Sequence, residues 1–188
     1  MKTFKEFIEE SQEHTSADTS LNQVSAGLKY AVDKKLIRPH THNVDNGGGR
    51  YNAGKEHVEN NVEGAKLHVH DPFNRSEEHN KEIKNNHTGK AHYVGLHNVL
   101  NVIKEPENRK TALETTKSFM HPKGTVHISV HEGDANGNSR MTKKDKGRGS
   151  SWQEHRKTGT YMDEVKNVFP EHSHNIEKHG KHILVTKK

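Results

Sequence analysis

Residues 41–50 read Thr-His-Asn-Val-Asp-Asn-Gly-Gly-Gly-Arg. A short run that reads as a strand over 41–45 meets an acid, Asp45, and then Gly47, Gly48 and Gly49, just before a pattern that reads as a helix over 52–62. In a doubly wound fold, glycines at such a junction make the tight turn and let a ligand approach bare backbone, while the amides opening the next helix favour a polar or anionic group. A plain turn would use the same residues, so the neighbouring segments decide. The next expected strand, 66–70 (Lys-Leu-His-Val-His), ends at Asp71, 26 residues after Asp45. An acid there is placed to accept hydrogen bonds from both hydroxyls of a ribose, and the structural alternative is a helix cap ahead of Pro72.

Outward from this pair, apolar runs alternate with helical patterns. Leu21, Val24, Leu28, Ala31, Val32 and Leu36 form a helical stripe over 21–37 that Arg38-Pro39 ends. Helices are expected over 76–85, 106–120 and 160–169, and strands over 92–97, 125–131 and 182–186. This alternation argues for a parallel sheet covered by helices. In 105–131, Pro106 suits a first helical turn, Ala112, Leu113, Thr116, Phe119 and Met120 supply its inner face, and Gly124 breaks into Thr-Val-His-Ile-Ser-Val. Residues 133–151, rich in Gly, Ser and Lys, read as a long loop.

The chain has 188 residues, which suits one domain of about 150 residues and a short appendage: a leader and linker over 1–20 and a domain over 21–188. Only 27% of residues are hydrophobic, but 30 basic against 25 acidic side chains leave a formal charge of only +5, so a small core is expected rather than a self-repelling coil. No apolar run approaches the roughly 20 residues of a membrane helix. With no cysteine, disulfides, thiolate nucleophiles, zinc ribbons and iron–sulfur clusters are excluded. The 18 histidines include the pairs His40/His42, His68/His70 and His172/His174, whose members would share one side of a strand. Spacing places no third ligand, so no metal site is expected.

The Asp45 loop, Asp71, His97-Asn98 after the following strand and the passage His121-Pro122-Lys123-Gly124 together resemble the Rossmann-like class I S-adenosylmethionine-dependent methyltransferases. The family's acid-x-Gly-x-Gly loop is matched by Asp45, Gly47 and Gly49, with Gly48 between them. The resemblance implies a three-layer α/β sandwich with a mainly parallel sheet, trimmed because no clear strand lies between Asp71 and Tyr93. It implies S-adenosyl-L-methionine as cofactor, Asp71 at its ribose, and His97 and Asn98 beside its methionine or adenine part. Tyr51 stands where a third glycine often occurs. The family has no universal catalytic residue; His131, Glu132 and Tyr161 are the candidates near the transfer edge. Asn-Val-Leu at 98–100 lacks the double proline of amino-methylating nucleic-acid enzymes, which disfavours DNA adenine as acceptor.

Two further segments bear on partners. Lys143, Lys144, Lys146 and Arg148, followed by Trp152, Arg156 and Lys157, would suit phosphate gripping and base stacking, or a solvated loop. Met1–Glu10 resembles the capsid-targeting leaders of internal head proteins in T-even-type bacteriophages, which end in Ile-x-Glu or Leu-x-Glu; Ile8-Glu9-Glu10 fits, and a plain amphipathic helix is the alternative. The expectation is a phage-encoded methyltransferase working in a bacterial host cytoplasm or packaged in the phage head. The alternative is a non-catalytic methyltransferase-like protein that is head-packaged or binds nucleic acid.

Overall fold

A computed structural model describes residues 21–133, 140–141 and 151–188. Ser25 caps the first helix, α1 (Ala26–Asp33), by accepting the Leu28 amide at 3.1 Å. This helix is shorter than its apolar stripe because the cap starts it at Ala26 and Lys35 turns left-handed at φ 57°, leaving Leu21 42% exposed. Strand β1 (His42–Asn46) leads to α2 (Ala53–Asn61), and β2 (Lys66–His70) to α3 (Glu77–His87). Strand β3 (Ala91–His97) leads through a 3-10 turn, Leu100–Val102, to α4 (Pro106–Phe119), with Pro106 in its first turn as expected. Then come β4 (Met120–Ser129), a two-residue ladder of β5 (Arg140–Met141) with β6 (Trp152–Gln153), and a 3-10 turn, Thr158–Tyr161, running into α5 (Met162–Val168). A hairpin, β7 (His174–His179) and β8 (His182–Lys187), ends the chain.

The sheet runs β2-β1-β3-β4-β8-β7, parallel from β2 to β4 and antiparallel through the hairpin. Successive residues of β3 point to opposite layers. Tyr93 joins Leu28, Val58 and Leu67 under α1 and α2, while Val94 joins Ile83, Leu113 and Val165 under α3, α4 and α5. The result is the expected three-layer α/β sandwich with a mainly parallel sheet. Between Asp71 and Ala91 the chain forms α3 and no strand, so the trimming is real and β2 is an edge. Side chains cover the polar groups of that edge. Glu59 accepts the Leu67 amide at 3.3 Å, and a ring nitrogen of His79 lies 2.8 Å from the Val69 carbonyl. An edge blunted in this way does not offer a ladder to another chain.

Two strand readings change. Strand β4 begins at Met120, which pairs with Ala91 before the register shifts between Ala91 and Tyr93; Pro122 and Gly124 sit in that irregularity rather than ahead of the strand. Strand β7 is absent from the pattern because its Asn, Glu, Lys and His residues alternate without an apolar face. The signal available was the two-residue Gly180-Lys181 loop, where Gly180 takes φ 59° and His179 pairs with His182.

Candidate functional site

The sheet order reverses about β1, and the loop after β1 lies at that reversal, where open α/β sheets bind ligands. Gly47 (φ 82°) and Gly49 (φ 77°) take left-handed conformations. A Cβ on Gly47 would also fall 2.3 Å from Val99, and one on Gly48 would fall 2.7 Å from the Asp45 carboxylate. Bare backbone is therefore a packing requirement here. Arg75 fixes the loop from outside, its Nε donating to Gly49 O at 2.9 Å and its guanidinium reaching Tyr51 O and Asn52 Oδ1.

Two cavities meet at Gly47 and Asn98. The smaller, of about 120 Å³, is lined by Ser25, Asp45, Gly48, Gly49, Tyr51 and His97 among others. The larger, of about 220 Å³, lies between Asp71, Phe73, Val99, Val102, Ile103 and Ala112. The elongated space thus has a polar end containing an acid and an end with an apolar wall. All seven residues expected at the cofactor (Asp45, Gly47, Gly48, Gly49, Asp71, His97 and Asn98) line one or both cavities. Asn98 holds φ 58° and donates its amide to Ser129 O at 2.9 Å.

Asp71 is tied into the backbone. Its Oδ2 accepts the Gly49 amide at 2.8 Å, and its Oδ1 accepts the amides of Phe73 and Asn74 at 3.0 and 2.9 Å. It is therefore both a turn-former after β2 and a wall residue. Beside it, Asn46 donates to Ala112 O and Thr116 Oγ1, so its amide oxygen faces His70 Nδ1 at 2.7 Å and must accept. This leaves His70 Nε2 as a buried acceptor with no partner among the described residues.

Burial, reinforced by the Asp71 charge, pushes the Asp45 carboxyl up to about 7. His97 goes the other way, burial and then His182 pushing it down to about 3. The His97 ring is held between Ser129 Oγ, 2.9 Å from Nδ1, and the Tyr93 hydroxyl, 2.8 Å from Nε2. That hydroxyl also meets His127 Nδ1 at 3.0 Å, and His127 Nε2 meets His182 Nδ1 at 2.9 Å. If each of Ser129, His97, Tyr93 and His127 donates once to the next, every group in this neutral chain is satisfied. Of this network only His97 was visible as a site residue in the sequence.

The remaining candidates lie elsewhere. His131 is exposed and contacts His155, edge to face, with ring centres 6.1 Å apart. Glu132 accepts the Thr158 amide at 3.0 Å; burial alone would raise its carboxyl, but Thr158 and the lysines 181 and 157 bring it below the usual range. Tyr161 is fully buried under Arg156, with its hydroxyl directed to Glu154, and burial pushes its phenol up to about 12. None of the three lines either cavity. Lys143, Lys144, Lys146 and Arg148 fall outside the described residues. Trp152 is half-buried with the Lys104 ammonium 5.3 Å from its ring centre, and Arg156 is engaged by Glu154 and Glu164. The last two acids also hold the buried Arg109.

No protein-family model matches the chain, and no curated protein matches it. Solved structures do match. DesVI of Streptomyces venezuelae matches with a TM-score of 0.54 at 11% identity, over 100% of both chains. An S-adenosylmethionine-dependent methyltransferase of Clostridium acetobutylicum gives 0.52 at 11%, covering 94% of this chain and 92% of that one. The 1,6-didemethyltoxoflavin-N1-methyltransferase of Burkholderia thailandensis, solved with bound 1,6-didemethyltoxoflavin and S-adenosylhomocysteine, gives 0.51 at 16%, covering 96% and 84%. At these identities the likeness is one of fold, and the fold is that of the class I S-adenosylmethionine-dependent methyltransferases.

Proposed function

We propose that this chain binds S-adenosylmethionine across the two joined cavities and transfers its methyl group to an acceptor. The observation that carries the reading is the meeting of those cavities at Gly47 and Asn98, with an acid lining each end. The residues fit such a ligand. Asp45 offers a carboxylate to an ammonium or sulfonium group, and Gly48 leaves that carboxylate uncovered. Asp71 Oδ2, with one acceptor direction used by Gly49, suits a ribose hydroxyl. Phe73, Val99, Val102 and Ile103 suit a flat base, and the unpartnered His70 Nε2 suits an exocyclic amine. The bound cofactor supplies an electrophilic methyl on sulfur. The protein's contribution is to orient it, exclude water and align an acceptor, which requires no covalent enzyme intermediate.

Calorimetric titration of the full chain with S-adenosylhomocysteine tests this. One saturable site is expected, and Asp45→Asn, which keeps the side chain's shape, should weaken it at pH 7.5 while leaving the circular dichroism unchanged. A folded wild-type protein that gives no heat and no thermal shift at millimolar ligand overturns the reading. Incubation with methyl-labelled cofactor and separated nucleic-acid, protein and small-molecule fractions then identifies the acceptor class.

A nucleic-acid acceptor and a phage setting belong to the same proposal and rest on sequence alone: the basic run Lys143 to Arg148 for the first, Met1–Glu10 for the second, with host cytoplasm or phage head as location. Binding of labelled single-stranded RNA that weakens steeply with salt supports the first. N-terminal sequencing of protein from virions, with a start at Ser11, supports the second.

A further inference from the structure

The three-layer packing gathers histidines where no spacing in the chain would have placed them. His42 opens β1, His68 lies in β2 and His87 ends α3. By strand alternation His42 and His68 share the sheet face that carries α3. His42 Nδ1 is 3.0 Å from His68 Nε2. The His68 and His87 rings stack with centres 3.9 Å apart, and His42 and His87 with centres 5.7 Å apart. One ring nitrogen from each residue lies within 4.8 Å of the other two. The expected strand pair does not chelate, because His70 turns to Asn46 while His68 turns to a different strand and a helix.

We propose that His42, His68 and His87 form a binding site for a divalent first-row transition ion, zinc by geometry, that ties β1, β2 and the end of α3 together at the open edge of the sheet. Three imidazoles are a preferred donor set for zinc, copper and nickel. Ligand nitrogens about 2.0–2.1 Å from a tetrahedral zinc stand about 3.3 Å apart, so the His42–His68 spacing is already suitable and His87 needs only a small ring movement. Two ring nitrogens at 3.0 Å require a proton or a metal between them. His42 is exposed, so an ion has an entry path and an open fourth position. The site lies at the opposite end of β1 from Asp45, on the other face, and does not depend on the methyltransferase reading.

Cobalt titration of the untagged full chain after chelator treatment tests the proposal. One equivalent should bind with the intense visible absorption of tetrahedral cobalt, and one equivalent of zinc should displace it. His42→Gln, at an exposed position that leaves folding intact, and His87→Gln should each weaken that step by at least the roughly 10–100-fold that loss of even an outer-shell partner costs. His40→Gln, at an exposed histidine outside the cluster, should bind as wild type. Zinc should raise the melting temperature of wild type and His40→Gln but not of His42→Gln. Only weak octahedral binding spread over many histidines, or an unchanged first equivalent in both cluster variants, overturns the site.

Discussion

The Tyr93 hydroxyl lies 2.8 Å from His97 Nε2, two buried side chains four residues apart on one face of β3. The residue between them on that face is Gly95, and a Cβ there would fall 2.8 Å from His97 Nε2 and 3.0 Å from Asp45 Oδ1. The glycine therefore leaves space for a hydrogen bond that crosses over it.

Gly95→Ala should destabilise the protein by about 1–3 kcal/mol, the usual scale of overpacking, although alanine normally suits a strand better than glycine. Urea unfolding measures this. A stabilised variant would show that His97 can move aside without loss.

Tyr93→Phe keeps the ring and removes the hydroxyl shared by His97 and His127. Leaving buried nitrogens without a partner costs about 1–3 kcal/mol, so the midpoint should fall with the denaturant slope unchanged. A neutral result would mean that water replaces the hydroxyl.

How much of this was legible in the sequence depends on whether a feature is local. Asp45, Gly47 and Gly49 are neighbours in the chain, and Asp71 closes a recognisable strand, so both could be read. Pro106 marked its helix for the same reason. Tyr93, His127 and His182 meet only through the register of β3, β4 and β8, and a histidine in a strand looks the same whether it is solvated or bridged. The recurrence Tyr93, Gly95, His97 on every second residue was the one available trace. Arg75, which holds the glycine loop from 26 residues away, left none. The amphipathic stripe from Leu21 overextended α1 because periodicity does not register a Ser25 cap.

Acid should unfold this protein early. Burial holds His97 and His127 below the ordinary histidine value, with Tyr93, His182 and Asp45 around them. The unfolded chain binds more protons than the folded one as pH falls below about 6.5, so the stability they contribute is full above that pH and is lost on acidification, by about 1.4 kcal/mol per pH unit each. Asp45 opposes this. Its raised carboxyl contributes stability at low pH that disappears as pH rises through about 7. The melting temperature should therefore fall from pH 7 to pH 5, and fall more steeply in Asp45→Asn, which lacks the opposing group. Equal slopes in the two proteins would show that Asp45 does not titrate in that range.

The same carboxyl makes cofactor affinity depend on pH, on the reading that it faces the ligand's ammonium group in the smaller cavity. With a midpoint at about 7, Asp45 is mostly protonated at pH 6 and mostly ionised at pH 7.5. A cation gains from the ionised form only, so affinity for S-adenosylhomocysteine should rise roughly five- to tenfold between those two values, following the ionised fraction. The pH range separates Asp45 from His97, the histidine that lines the same cavity, because protonating His97 on acidification would also repel the cation but only near its own titration at about 3. Asp45→Asn removes the titrating group and keeps its shape, so the variant should bind more weakly at pH 7.5 and show a flat profile. Calorimetry at the two pH values, in buffers of different ionisation heat, also counts the proton released when Asp45 ionises on binding. A wild-type affinity that does not change with pH, or a pH-dependent Asp45→Asn, would remove Asp45 from the binding site and leave it as a buried acid beside Gly48.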